Sequence, residues 1–121
     1  MFVVYKRDIA DVEPIENLPG ADGLVLGEAA SLTAGALAKC AATARPDYIV
    51  LGPVHNGLYP AIRVQRTTVY EVPCSAAVAA AGSVVTLGTD ALTVTATTTG
   101  GVFTVEYTEN AANTLVRGRF A

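Results

Sequence analysis

The chain has no tryptophan, one histidine, two cysteines and little charge, and each scarcity removes a class of function. With His55 as the only imidazole, any general-base or metal-ligand role for histidine falls on one residue. The cysteines, Cys40 and Cys74, form no Cys-x-x-Cys pair, so no zinc-type ligand set is present. No Gly-x-x-x-x-Gly-Lys-Ser/Thr and no Gly-x-Gly-x-x-Gly occurs, which leaves phosphate cradling without a motif, and no cofactor is expected. The basic residues number 8 against 11 acids, for a net charge of −3, and they are scattered. No basic footprint for a phosphate backbone exists, so nucleic-acid binding is not expected. The longest run of small apolar residues, 76–82, is far short of the roughly 20 residues a membrane-spanning helix needs, and residues 1–8 lack the pattern of a signal peptide. Neither membrane insertion nor secretion by a recognisable signal is expected.

At 121 residues the chain reads as one domain, which buries roughly two-thirds of the surface its unfolded form exposes. Disulfide staples are unnecessary at that size. Both thiols are expected reduced, unbridged and buried. Charged residues make up 16% of the chain, mean hydropathy is +0.41 and 51% of residues are hydrophobic. The usual charged fraction is about 25%. A surface so poor in charge either exposes much Ala, Thr and Gly or lies against neighbours, as in a subunit of an assembly.

The residues that are present are strand formers punctuated by glycine and proline. Turn signals at Gly20, Gly23, Gly27, Gly35, Pro46, Gly52 and Pro53 bracket short extended pieces. The expected organisation is an N-terminal strand and arm (1–22), a first β unit (23–74), a small-residue connector (75–82) and a C-terminal meander (83–121). Strands are expected over 24–28, 36–40, 48–51, 62–65 and 68–73, then over 83–87, 92–97, 102–107 and 115–120. In Leu92, Val94 and Ala96 against Thr93, Thr95 and Thr97, apolar and hydroxyl side chains alternate with the period of a strand. Asn56-Gly57 is the strongest two-residue reversal signal. The alanine-rich stretch 29–42 has helical composition, but Thr33, Gly35 and the entry at Gly27 argue against a helix. The fold class is therefore all-β, a compact antiparallel barrel or sandwich-like domain of two small β units with an extended N-terminal arm.

Residues 5–20 mix isolated apolar side chains with acids and two prolines and follow neither strand nor helix periodicity. Arg7, Ile9, Val12, Ile15 and Leu18 are read as contacts to a partner. Removing residues 2–18 is then expected to leave a folded core, because the strands are expected to begin near Leu24. The alternative is an arm that packs on its own core or supplies an edge strand through residues 2–5. His55, Leu58 and Tyr59, in the turn-rich loop 52–60, complete the candidate contact set. Tyr59 is assigned to an interface and Tyr107 to the core. Catalysis would need Cys40 or Cys74 as nucleophile with His55 as base, and neither cysteine sits in a nucleophile context.

The progression from Gly27-Glu-Ala through Leu32-Thr-Ala-Gly-Ala-Leu-Ala-Lys-Cys40 to Pro46-Asp-Tyr-Ile-Val50 resembles a phrase of small capsid-decorating and head-fibre proteins of tailed bacteriophages. The ending Ala112-Asn-Thr-Leu-Val-Arg-Gly-Arg-Phe120 is similar to their closing strand. The 5–20 arm and the 52–60 loop have no counterpart in those proteins, and no fibre-like repeat follows Phe120. The resemblance implies a non-enzymatic virion protein, assembled in the host cytoplasm. It would be seated as a homotrimer on the outer capsid surface, with the major capsid protein as partner. A head-fibre or adhesin base displaying a host-binding surface is the alternative within viruses, and a small cysteine hydrolase using Cys74 and His55 the alternative outside them.

Overall fold

A computed structural model describes residues 1–7 and 14–121. Among the described residues ten strands form and no helix. The strands are β1 (Val3–Lys6), β2 (Glu16–Leu18), β3 (Ala29–Thr33), β4 (Ala36–Lys39), β5 (Tyr48–Val50), β6 (Tyr59–Arg63), β7 (Val69–Pro73), β8 (Val84–Val85), β9 (Phe103–Tyr107) and β10 (Leu115–Phe120). They make two antiparallel five-stranded sheets, in the orders β1-β7-β10-β9-β8 and β2-β6-β5-β3-β4. The sheets pack together as a sandwich-like domain and do not close into a barrel.

Period-two alternation explains the first sheet. On β10, Val116, Gly118 and Phe120 are buried while Leu115 is exposed and Arg117 and Arg119 are half-buried. On β9, Phe103 and Val105 point inward. With Phe2, Tyr70 and Val72 they build the main core against Ala29, Ile49 and Ile62 of the second sheet. The opposite face of the second sheet is buried as well. Tyr48, Val50, Tyr59, Ala61, Ala30 and Leu37 pack beneath Leu24 and Leu18 in a smaller second core. This is why Tyr48, Ile49 and Val50 form an unbroken apolar run with every residue buried.

The two expected units do not divide at residue 75. β7, placed in the first unit, pairs with β10 on one side and with β1 on the other. Both sheets therefore draw on strands from before residue 75. Residues 24–28 are not a strand: Gly27 takes φ +83°, and Glu28 N–H donates to the Val25 carbonyl at 3.1 Å. Pairing is taken over by Ala29–Thr33, where Ala29 and Ala30 are fully buried and their small side chains admit close neighbours. The alanine-rich stretch is thus a hairpin, β3 to β4, turning at Ala34 and Gly35 with φ of 52° and 81°, the two left-handed positions of a type I′ reversal. Asn56-Gly57 reverses the chain in the same way, with φ of 53° and 77°. The meander has three strands, not four. Residues 92–97 contribute only single bridges, from Val94 to Cys74 and to Leu87, because a tight turn held by Asp90 leaves Val94 alone inside.

Of the alternatives for the N-terminal residues, the structure takes the edge strand, formed by β1 at the end of the first sheet. Val3 and Val4 pair with Glu71 and Tyr70, and Phe2 N–H donates to the Gly27 carbonyl at 2.9 Å, tying the start of the chain to the turn ahead of β3. β2 is fastened by Glu16, which accepts from the Tyr48 hydroxyl at 3.1 Å and pairs with Arg63 at 3.5 Å. The expectation that the strands begin near Leu24 is corrected accordingly, because β1 and β2 precede it.

Candidate interaction surfaces

The residues expected to meet a partner separate into three groups. Leu18 and Tyr59 belong to the second core: Tyr59 is 3% exposed and its hydroxyl donates to the Ala21 carbonyl at 2.9 Å. The interface assignment for Tyr59 is corrected, and so is the core assignment for Tyr107, which is 44% exposed. Tyr59 was read as part of the 52–60 loop but opens β6, under residues 20–24, and the period-two rule misplaced Tyr107 because the end of β9 is bulged. Arg7 and Ile15 line a groove of about 480 Å³ with Met1, Val3, Leu26 and Leu51 between the β1 and β2 sides of the sandwich. Ile9 and Val12 lie outside the described residues.

His55 and Leu58 sit at the tip of the β5–β6 connection. Reciprocal backbone bonds of 2.8 and 3.0 Å join them across Asn56-Gly57, so the tip is a rigid hairpin. Val54 and Leu58 are exposed there, as is the His55 side chain.

Cys74 does not approach that imidazole. It is buried at the end of β7, and its thiol faces the carbonyls of Ala111 and Thr114, each at 3.3 Å. The Cys40 thiol donates to the Ala44 carbonyl at 3.1 Å, and burial pushes its pKa up, away from the thiolate form. The Cys74–His55 pair required for a hydrolase is therefore not assembled. Both cysteines are free and buried. Thiol titration is expected to find neither reactive in the native protein within minutes and both reactive once denatured without reductant. Finding none after denaturation would establish a bridge. Among the described residues no three His, Cys, Asp or Glu side chains gather as a metal site.

The most organised surface was not among the expected sites. On the outer face of the first sheet, the Arg117 guanidinium lies 4.0 Å from the Tyr5 ring centroid and 4.9 Å from that of Tyr107. Its Nε donates to Glu71 at 3.1 Å, and this bond holds the guanidinium pKa above its ordinary value. Beside it Arg119 pairs with Glu106 at 2.7 Å. Both tyrosines reach Arg117 through a break in register. In β1 the pairing steps from Val4–Tyr70 to Lys6–Val69, leaving Tyr5 as the extra residue. In β9 it steps from Arg117–Tyr107 to Gly118–Val105, leaving Glu106 extra. Bulges of this kind re-aim side chains, and here the two flank the same arginine. Val3 and Leu115, 44% and 48% exposed, extend the face. The signal in the sequence was Arg117-Gly-Arg119 after an alternating strand, but which tyrosines meet it depends on bulges that period-two reading does not register.

No family model and no curated protein matches the sequence.

Proposed function

We propose that this chain is a structural virion subunit that binds the outer surface of a tailed-phage capsid and stabilises or decorates it, acting as a homotrimer with the major capsid protein as its partner. The sequence phrases 27–50 and 112–120 motivate the reading. The observation that carries it is the rigid hairpin tip at Val54–Leu58, which holds apolar side chains out in solvent, where the protein's own cores give them no cover. A tip locked by a two-residue turn loses little conformational freedom on docking, so contact made there is retained as affinity. Ile15, 62% exposed ahead of β2, adds a second apolar point of contact. Standard interfaces bury about 1,600 Å² in total, and several such contacts per oligomer stabilise a shell by multivalency with no single dominant residue.

The test is co-sedimentation of the purified chain with tailed-phage capsid shells stripped of their outer proteins. The parent is expected to pellet with the shells. A Val54→Asp, Leu58→Asp variant should bind at least tenfold more weakly while keeping its thermal midpoint, since both side chains are exposed. Shells that leave the parent in the supernatant refute the proposal, and a variant that binds undiminished refutes the role of the tip.

A further inference from the structure

We infer that the outer face of the first sheet, centred on Arg117, seats a second copy of this chain. The inference rests on the assembly-subunit reading above but adds a contact to it: a face set against its own copy closes as a twofold pair, separate from the heterologous contact a trimer uses. Four large apolar or aromatic side chains, Val3, Tyr5, Tyr107 and Leu115, are exposed at 44–51% on this face. Tyrosine and arginine are the residues that most often dominate the energy of protein interfaces, because they bring large contact area at low entropic cost together with directional donors. Here the arginine is already held between two rings and ion-paired, so it meets a partner in a fixed geometry.

Charge selects the occupant. The chain carries a net charge of −3, so two copies repel wherever their acids meet. On this face Arg117 and Arg119 balance Glu71 and Glu106, each acid already paired. A neutral face with alternating signs is complementary to itself: rotating one copy against another sets an arginine over a glutamate. Edge-to-edge pairing is the competing way for sheets to associate. The Tyr5 bulge and Lys6 on β1 oppose it at one edge, and β8, only two residues long, offers little ladder at the other. For the first sheet that leaves face-to-face stacking.

Sedimentation equilibrium of the purified chain, from micromolar to millimolar concentration, tests the inference. The parent is expected to rise above its 12.4 kDa monomer mass as concentration increases. A Tyr107→Ser, Leu115→Glu variant is expected to dissociate at least about thirtyfold more readily, the scale of losing one dominant contact. Leu58→Asp, on the other sheet, should associate like the parent. A parent that stays monomeric throughout overturns the inference, as does a face variant that associates with unaltered affinity. Cross-linking gives an arm independent of the variant's stability. Because Cys40 and Cys74 are buried, a bismaleimide is expected to link Leu115→Cys copies into dimers and to leave Leu58→Cys copies single. The reverse pattern also overturns the inference. Shell binding is read separately, so its loss with self-association intact counts against the capsid proposal alone.

Discussion

Replacing Phe2 by alanine is expected to remove about 3–5 kcal/mol of stability, the usual cost of deleting a buried aromatic ring. Whole domains retain only roughly 5–15 kcal/mol, so this one change takes a large share. The magnitude follows from where the ring sits. Phe2 is buried among Tyr70, Phe103 and Phe120, with centroid separations of 6.4, 5.9 and 5.3 Å. The contacts with Tyr70 and Phe103 are edge-on, an arrangement that adds to simple area burial. Those three partners come from β7, β9 and β10, so the ring joins three strands of the first sheet. Its own backbone adds the hydrogen bond from Phe2 N–H to the carbonyl of Gly27, in the turn that leads into β3. Val3→Ala is the control: its side chain points to the outer face, and its loss should cost under about 1 kcal/mol. Urea denaturation of the two variants measures both values. A Phe2→Ala loss as small as that of Val3→Ala would mean that the N-terminal strand is dispensable and that the core closes without it.

This cluster also marks where the sequence was legible and where it was not. β10 was readable to its boundaries because Val116 and Phe120 alternate with Arg117 and Arg119, and one buried face beside one solvated face produces that signal directly. The Asn56-Gly57 turn was readable because few residue pairs accept two left-handed positions in succession. β1 was obscured: its alternation lasts four residues, and the bulge at Tyr5 breaks the period where a reader would count it. β3 was missed because alanine has little strand preference of its own. Its pairing is imposed by the partner, through Ala29 opposite Ile49 and Ala30 opposite Tyr48. Residues 92–97 failed in the opposite direction. They carry a full alternating pattern, yet their backbone bonds are divided between residues 86–88, through Thr93, Thr95 and Thr97, and residues 73–75, through Val94, so no ladder forms with either. The Tyr5–Arg117–Tyr107 face was illegible for the same physical reason as β1, since two register breaks, and not periodicity, decide which side chains meet there.

Gly118→Ala is expected to be more damaging than its one added methyl group suggests. A Cβ at this position would stand 2.1 Å from the Thr104 carbonyl oxygen and 2.8 Å from a ring carbon of Phe103. Ordinary overpacking of a core costs roughly 1–3 kcal/mol, because side chains rotate away. The obstacle here is a backbone carbonyl of the neighbouring strand, which moves only if β9 and β10 slide or separate. The same glycine borders the β9 bulge, where pairing steps from Arg117–Tyr107 to Gly118–Val105. The close approach of the two backbones at Gly118 and the outward turn of Tyr107 are therefore adjacent features of one pairing. The loss is expected to reach at least about 3 kcal/mol, a fall of about 10 °C or more in thermal midpoint for a domain of this size. Any folded fraction should also have Tyr107 displaced from Arg117, visible as a change in near-ultraviolet circular dichroism. Gly35→Ala separates this mechanism from the general cost of replacing glycine. Gly35 has φ +81° and open space at its Cβ, so its substitution carries only the backbone penalty of about 1 kcal/mol. Equal losses for the two variants would show that the β9–β10 contact yields easily, and that Gly118 does not hold the bulge that presents Tyr107.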